Sequence, residues 1–459
     1  MSGHLGPVLS ARRTGAPDRR VRTLIIGAGP TGLGAAWRLR ERGDDDWVVV
    51  DSASVAGGAS ASAHDRQGFV WDLGGHVLHS HFRYFDEVVG KAVEDWSYPR
   101  RAGWASVGGL LSPTPVQRNL GHLTPELGRT VVTEIGERTK PAEHRPDLGS
   151  WFERTFGPTL TGMFFRPLNT KMWAHPPEML SHSWTSLRSG STAANVPAPR
   201  ASLDRSDRPA EVTTFPFPRG GTGSLWQAVA DGFPPGAIRY GVTVVGVDLD
   251  SRVATVSDGT SIGFEECISS MPLPALASVI GRPDLAACSA TLRSSAVHAV
   301  GFGFLGEPPP ELARASWVYS ADADVPFHRA TVLSNYSDRM AGPGRWSILT
   351  ESATSAHRLL DACSIIPDSL AALRPWGVTG DPVSTWHRRL PMGYPIPTLG
   401  RDAVLRPVQA ELLAAGIRSR GRFGGWRYES SNQDHAFMQG VEAVDAAWSG
   451  MPETVYGLS

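Results

Sequence analysis

A glycine-rich turn between a short apolar strand and a helix restricts the fold of this chain more than any other feature. The segment RTLIIGAGPTG (22–32) leads from the strand into a helical stretch. Gly27 permits the tight turn, Gly29 lets the backbone approach a pyrophosphate, and Gly32 lets helix and strand pack closely. A second apolar strand ends at Asp51, which can accept a hydrogen bond from a ribose hydroxyl. The pattern predicts a Rossmann-like dinucleotide site.

Two further glycine pairs favour FAD over NAD as the dinucleotide. Gly57-Gly58 lies just after the second strand, and Gly74-Gly75 precedes His76. Paired glycines let the backbone run close against an extended ligand, beyond what one nucleotide needs. Each pair taken alone is equally compatible with an ordinary turn.

Charge and cysteine content argue against several other classes of protein. The chain has 44 Lys and Arg against 45 Asp and Glu, so no global field attracts nucleic acid or an anionic membrane. No apolar run approaches the roughly 18 residues that span a bilayer. Cys267, Cys288 and Cys363 lack the spacing of a zinc site, and their odd number argues against a disulfide framework. We therefore expect a cytoplasmic protein without a metal site.

Patterning along the rest of the chain alternates between helical and β-type segments. Alternating apolar residues predict strands over about 239–271, and a second β-rich segment spans about 296–350. Residues 189–214 are rich in Ser, Pro, Arg and Asp, as in a mobile lid or a passive linker. Near the end, Phe437, Val441, Val444 and Trp448 share one face of a predicted amphipathic helix.

Six ordered blocks are spread over nearly the whole chain. They are GGHVLHSHFRYFDEVV (74–89), FRPLNTKMWA (165–174), FPFPRGGTGSLWQAVA (215–230), FHRATVLSNYS (327–337), GYPIPTL (393–399) and GRFGGWRYESSNQDHAFMQGVEAVD (421–445). Together these blocks resemble the UDP-galactopyranose mutase family, especially its eukaryotic-type branch, within the glutathione-reductase-like flavoproteins.

The resemblance implies an α/β architecture with a discontinuous Rossmann-like FAD-binding domain, a helical insertion and an antiparallel β-sheet insertion. The predicted pieces are a disordered tail at 1–20, the FAD domain at 21–86, 215–290 and 386–459, a mostly helical substrate domain with a mobile loop at 87–214, and a sheet domain at 291–385. It also implies an isomerase that interconverts pyranose and furanose forms of a nucleotide-diphosphate hexose by attack of reduced-flavin N5 on the anomeric carbon. NAD(P)H is the expected reductant, and the oligomeric state stays open.

The resemblance implies that His76 corresponds to the histidine beside the flavin ring, and that Arg188 and Arg329 correspond to the two arginines that bind the diphosphate. Arginine suits that task because its planar guanidinium binds phosphate oxygens in pairs. The resemblance also implies further contacts with substrate and cofactor. The other substrate residues are His79, Thr114, Gln117, Asn169, Trp173, Tyr319, Tyr394, Arg422, Tyr428 and Asn432. The FAD residues are Gly27, Gly29, Gly32, Asp51, Gly57, Gly58, Gly74, Gly75, His76, Val244, Met271, Asn432, Gln433 and Asp434.

The nucleobase pocket departs from the family pattern. His79 stands where eukaryotic-type mutases carry an aromatic residue, and Thr114 stands where they place a tyrosine. Each lost stacking surface costs roughly 1–3 kcal/mol of base binding, so the base preference can change. GDP-linked and UDP-linked hexoses are both candidate substrates.

Two other functions compete with the mutase. A flavin oxidase or dehydrogenase of the amine oxidase type shares the FAD architecture, but it does not need two arginines on a diphosphate. The second alternative is a non-catalytic protein that binds flavin or a nucleotide sugar.

Overall fold

The computed structural model describes residues 16–137, 146–187, 203 and 213–457. Most of the predicted tail and most of the predicted mobile loop lie outside these residues. Within them, no helix is both long and apolar enough to cross a membrane.

The described chain contains runs of consecutive strands as well as segments in which strands and helices alternate. The strands are β1 (Arg19–Ile26), β2 (Trp47–Val50), β3 (Ser62–His64), β4 (Val70–Asp72), β5 (Trp96–Ser97), β6 (Gly103–Val107), β7 (Leu110–Pro113), β8 (Phe217–Pro218), β9 (Ile238–Arg239), β10 (Val244–Asp248), β11 (Val253–Val256), β12 (Ser261–Ser269), β13 (Ser294–Leu305), β14 (Trp317–Ser320), β15 (Arg329–Thr331), β16 (Arg345–Thr354), β17 (Ser384–Pro395) and β18 (Ile417–Ser419). The helices are α1 (Pro30–Glu41), α2 (Arg83–Ala92), α3 (Pro125–Gly136), α4 (Leu148–Leu160), α5 (Arg166–Trp173), α6 (Thr222–Asp231), α7 (Leu273–Val279), α8 (Pro283–Ser289), α9 (Pro310–Ala313), α10 (Ile365–Leu373), α11 (Arg401–Ala414), α12 (Gly421–Gly424) and α13 (Gln433–Ser449).

The first sheet has the mixed topology of a dinucleotide-binding domain. Its order is β10-β11-β12-β1-β2-β9, and β18 also pairs with β12. The pairs β1–β2, β1–β12, β2–β9 and β12–β18 are parallel, whereas β10–β11 and β11–β12 are antiparallel. The strand β1 is already paired at Arg19, inside the predicted tail. Apolar clusters cover both faces of this sheet, so its central strands are buried.

Helices α1 and α13 pack against each other unusually closely. A Cβ at Gly34 would lie 2.3 Å from the carbonyl oxygen of Phe437, and one at Gly440 would lie 1.9 Å from that of Thr31. Only glycine fits at either crossing point. Phe437, Val441 and Val444 are buried as predicted, and Trp448 is partly buried.

The second sheet is built from more of the chain than the predicted insertion at 291–385. Its order is β17-β13-β16-β15-β14-β6-β7, and every pair is antiparallel except the parallel pair β14–β6. It therefore takes β6 and β7 from the segment predicted as mostly helical, and β17 from the predicted FAD domain. The turn between β6 and β7 consists of Gly108 and Gly109, both with positive φ. Two such glycines between apolar runs are a hairpin signal that our prediction did not use.

Besides β5, β6 and β7, the described part of the 87–214 segment contains helices α3, α4 and α5. Helices α3, α4 and α5 surround an apolar cluster in which the Phe156 and Phe165 rings stack at 4.1 Å. A π-helical turn over Thr161–Phe165 joins α4 to α5. Helix α5 carries Asn169 and Trp173, so this packing fixes one wall of the site described below.

Candidate active site

A groove of about 510 Å³ opens at the carboxyl ends of β1 and β2. It lies where ligands bind in open α/β sheets. Among the residues predicted to bind the cofactor, seven line it directly. They are Gly27, Gly29, Asp51, Gly58, Val244, Met271 and Gln433.

The glycines of the first turn keep the base of the groove open. A Cβ at Gly32 would lie 1.8 Å from the carbonyl oxygen of Gly27, so Gly32 allows α1 to follow β1 closely. A Cβ at Gly58 would lie 3.3 Å from the Cα of Gly29, and Gly57 adopts a positive φ of 110° beside them. Side chains at these positions would fill the space that a pyrophosphate needs.

Polar groups at both ends of the groove suit an extended dinucleotide. Asp51 accepts hydrogen bonds from the main-chain N–H groups of Ala28 (2.5 Å) and Ala53 (2.7 Å), which holds its carboxylate at the end of β2. At the other end, the Gln433 side chain accepts a bond from Trp226 Nε1 at 2.6 Å. Its buried Nε2 has no partner among the described residues, so a donor is free for a ligand in the groove.

Asn432 and Asp434 flank Gln433 at the start of α13 but do not line the groove. Asn432 is the N-cap residue of this helix. The carboxylate of Asp434 is completely buried and contacts His81 and His435. The structure thus brings Gln433 to the groove, and it directs the Asp434 side chain to the two histidines.

The loop after β4 carries Gly74, Gly75 and His76 to the second sheet. The Gly75 N–H donates to Glu351 Oε2 at 3.2 Å, and a Cβ at Gly75 would collide with Thr331. His76 is partly buried, and its buried Nδ1 has no partner within the described chain. Burial lowers the pKa of His76 to about 4, against the opposing charge of Glu351. The imidazole is therefore neutral at pH 7.

Arg329 and Glu351 form an ion pair across the neighbouring strands β15 and β16. Arg329 Nε donates to Glu351 Oε2 at 2.6 Å, and the two side chains are 19% and 5% exposed. Burial alone would raise the pKa of Glu351, but Arg329 and the Gly75 N–H lower it to about 2. The pair uses only Nε of the guanidinium as a donor to Glu351. The carboxylate thereby orients the arginine through Nε and accepts no hydrogen bond from its two terminal nitrogens.

An aromatic cluster contains several of the residues predicted to contact the substrate. The Trp173 ring lies 4.6 Å from that of Tyr428 and 5.7 Å from that of Tyr394. Asn169 accepts a hydrogen bond from Trp173 Nε1 at 3.1 Å. The Arg422 guanidinium lies 5.1 Å from the Tyr394 ring.

Tyr319 and Arg422 connect this cluster with the groove and with the ion pair. Tyr319 is paired with Arg329 across β14 and β15. Arg422 lines the groove, and it donates to the Ser431 hydroxyl at 3.1 Å and to the Gly393 carbonyl at 2.9 Å. Its charge also contributes to lowering the pKa of His76. The predicted residues from four separate blocks therefore meet beside one end of the groove.

The residues predicted for the nucleobase do not line the groove: Thr114 and Gln117 follow β7 of the second sheet, and His79 lies in the loop before α2. Thr114 follows β7, and its N–H donates to the Gly103 carbonyl at 2.9 Å. Gln117 is buried nearby, whereas His79 packs its ring edge-on against His81 at 4.7 Å. Burial and the charges of His81 and Arg101 lower the pKa of His79. Arg188, the second predicted diphosphate ligand, lies outside the described residues.

Sequence reasoning missed Glu351 and His328. His328 is buried, and its Nε2 lies 3.4 Å from the Tyr394 hydroxyl. Burial lowers the pKa of His328 to about 3, so this ring is also neutral. A glutamate inside the β-type run RWSILTESAT was the available signal, because a charge buried in a strand needs a partner.

The sequence and the fold define a flavoprotein class. Residues 30–307 match the family model described as flavin-containing amine oxidoreductase. The groove, with its glycine base and the free Gln433 amide, fits the cofactor of this class, FAD.

Within that class the chain belongs to the UDP-galactopyranose mutase family and is an isomerase. It is 35% identical to a reduced UDP-galactopyranose mutase of known crystal structure, with a TM-score of 0.91 and coverage of 95% of this chain and 96% of that one. Assignment to the eukaryotic-type branch stays a prediction.

More distant structures share the fold alone. One is a protein of Exiguobacterium sp. 255-15 with a suggested protoporphyrinogen oxidase activity, at 16% identity, a TM-score of 0.72 and coverage of 94% and 99%. Another is a putrescine oxidase double mutant at 16% identity, a TM-score of 0.66 and coverage of 94% and 99%.

Proposed function

We propose that this flavin-dependent mutase interconverts the pyranose and furanose forms of a nucleotide-diphosphate hexose. The observation that carries the proposal is the meeting of Arg329, Arg422, Tyr394 and Trp173 beside one end of the FAD groove. Arginine suits a diphosphate, and the Trp173 ring with the Tyr394 hydroxyl suits a sugar. FAD in its reduced form would supply the nucleophile for the anomeric carbon.

In this proposal Arg329 stabilises the diphosphate when its bond to the sugar breaks. Charge develops on the leaving phosphate, and a preformed cation lowers the energy of that state without reorganising. Glu351 holds Arg329 through Nε and so keeps the guanidinium pointed in one direction. Arg188 is proposed as the second diphosphate ligand on the basis of the family resemblance.

His76 is proposed to lie beside the flavin ring as a neutral imidazole. Its low pKa and its Nδ1, which lacks a partner among the described residues, support a role as a hydrogen-bonding group whose proton can move between the two ring nitrogens. Tyr394 and Tyr428 would bind sugar hydroxyls, with His328 holding the Tyr394 hydroxyl from behind.

For the nucleobase, we propose that His79 and Thr114 allow a base other than uracil. Neither residue offers the broad stacking surface of Phe or Tyr, and both can form hydrogen bonds. A GDP-hexose and a UDP-hexose are the two substrates to compare.

The direct test is a product assay with chemically reduced protein, supplied in turn with UDP-galactopyranose, its furanose isomer and GDP-hexoses. We expect isomerisation with reduced FAD and none with oxidised FAD, and NAD(P)H should replace the chemical reductant. Arg329→Ala should retain FAD and lose at least about tenfold in turnover, since a hydrogen bond to a charged group contributes ~1.5–3 kcal/mol. Arg389→Ala, at an exposed position of β17, is the matched control. Normal turnover in Arg329→Ala would refute the diphosphate role.

The alternative is an FAD-dependent oxidase or dehydrogenase of the amine oxidase type. The family model that matches residues 30–307 is consistent with it. Such an enzyme would bleach its flavin with an amine and consume oxygen, whereas the mutase returns its flavin unchanged. Stoichiometric oxygen uptake without sugar isomerisation would favour the oxidase.

A further inference from the structure

Three side chains outside the groove form a compact cluster of metal-ligand types. His81 comes from the loop before α2, while Asp434 and His435 begin α13. His81 Nδ1 lies 2.8 Å from Asp434 Oδ2, and His435 Nδ1 lies 3.0 Å from Asp434 Oδ1. One ligand atom from each residue lies within 4.8 Å of the other two. None of the roles proposed above uses His81 or His435.

In the described part of the chain, no lysine or arginine forms an ion pair with the carboxylate at the centre of this cluster. Asp434 is 0% exposed, and its ion-pair partners in the described part of the chain are the two histidines alone. The His81 main-chain N–H also donates to Asp434 Oδ2 at 3.0 Å, which fixes the carboxylate in place. A buried carboxylate that is fixed between two imidazoles favours a cation.

We propose that His81, Asp434 and His435 bind one divalent transition-metal ion, with Zn²⁺ as the representative. Two imidazoles and one carboxylate bind such transition-metal ions better than they bind Mg²⁺ or Ca²⁺, because the latter two ions select oxygen ligands. Tetrahedral zinc with bonds of about 2.0–2.2 Å separates its ligand atoms by roughly 3.4 Å. The observed distances of 2.8 and 3.0 Å are shorter than that value by about 0.6 and 0.4 Å, so the side chains would separate slightly when the ion binds.

The ion has an entry path and open coordination positions. The His81 side chain is 43% exposed and that of His435 is 20% exposed, so water can complete the coordination sphere. His79 packs against His81 at 4.7 Å on the side of the proposed nucleobase residues. A bound ion would tie the loop that carries His76 to the helix that carries Gln433. It would therefore fasten two walls of the cofactor and substrate sites together.

The test uses FAD-loaded protein without a histidine tag, stripped of metal by a chelator and desalted. Calorimetric titration with Zn²⁺ and absorbance titration with Co²⁺ should both show one saturable equivalent. His81→Ala and His435→Ala should each weaken binding by at least about tenfold, the size of effect that an altered ligand shell produces. His64→Ala is the matched control, because His64 is exposed on β3 and distant from the cluster in sequence. Flavin content and circular dichroism check that each variant is folded.

Several results would overturn the site. These are no saturable equivalent of Zn²⁺, equal affinity in the wild type and both histidine variants, or equally strong competition by Mg²⁺. A further comparison uses Asp434→Asn, which keeps the shape of the side chain but removes its charge, and which should also weaken Zn²⁺ binding. Because these readouts do not involve sugar turnover, their outcome does not depend on whether the proposed mutase reaction is correct.

Discussion

Glu351 connects Arg329 to the main chain of the loop that carries His76. One carboxylate oxygen, Oε2, accepts from Arg329 Nε at 2.6 Å and from the Gly75 N–H at 3.2 Å. The proposed diphosphate ligand and the proposed flavin-side loop therefore share a single anchor, and a change at Glu351 acts on both.

The first prediction concerns that anchor. Glu351→Gln keeps the side-chain shape but leaves the guanidinium of Arg329 without its counter-charge. Removing one partner of a buried ion pair costs about 3–5 kcal/mol, so we expect a clear loss of unfolding free energy in urea. We also expect at least about tenfold lower turnover, with FAD still bound.

Glu266→Gln is the matched control, because its partner Arg418 lies in the first sheet and the Glu266 side chain is 23% exposed. Unchanged stability and turnover in Glu351→Gln would contradict the anchoring role.

The second prediction concerns acid stability. The pKa of His328 is about 3 in the folded protein and about 6.5 when unfolded. Between these values the unfolded chain binds the extra proton, so His328 makes stability fall as pH decreases from 6.5 toward 3. His328→Gln should flatten the loss of unfolding free energy across this window. Measurements from pH 7 to 5 would check it, and an unchanged slope would show that His328 does not contribute.

The third prediction tests the close packing of α1 on α13. Gly34→Ala places a methyl group 2.3 Å from a main-chain oxygen, which cannot move aside as a side chain can. We expect a destabilisation of about 1–3 kcal/mol or more and a lower FAD content after purification. Gly90→Ala, in α2 with open space around it, should be neutral or slightly stabilising. Equal melting temperatures for the two variants would argue against the tight crossing.

The fourth prediction concerns base preference. His79→Phe combined with Thr114→Tyr restores two aromatic surfaces, each contributing roughly 1–3 kcal/mol to base stacking. We expect the ratio of UDP to GDP affinity for the reduced protein to rise by at least about tenfold, as measured by flavin absorbance. Val55→Thr, at an exposed site, provides the control. If the ratio stays constant, these two positions do not determine the base.

The parts of the sequence prediction that agree with the structure rest on local motifs. Gly27, Gly29 and Asp51 lie within one strand–turn–helix–strand unit, so their spacing alone places them in the groove. The C-terminal helix was predictable for the same reason, since its apolar face repeats at helical spacing. The aromatic cluster was found only through the family resemblance, because Trp173 and Tyr428 lie far apart in sequence.

Contacts between distant segments could not be predicted. Glu351 is identified as an ion-pair partner only when β15 and β16 are aligned, and His81 meets Asp434 across 353 positions. The predicted boundaries of the second sheet differ from the observed ones for a related reason. The parallel pair β14–β6 brings together strands from different segments, and no local pattern reveals such pairing.

The crossing of α1 and α13 has a consequence for biosynthesis. Helix α1 follows the first glycine turn, and its glycine crossing point is filled only by residues 433–449. During translation α1 therefore emerges from the ribosome before α13, the helix that covers its Gly34 face, has been synthesised. Because Gln433 of α13 also lines the groove, we expect stable cofactor binding only after this helix has been synthesised, and we expect nascent chains to need chaperone protection of α1 until then.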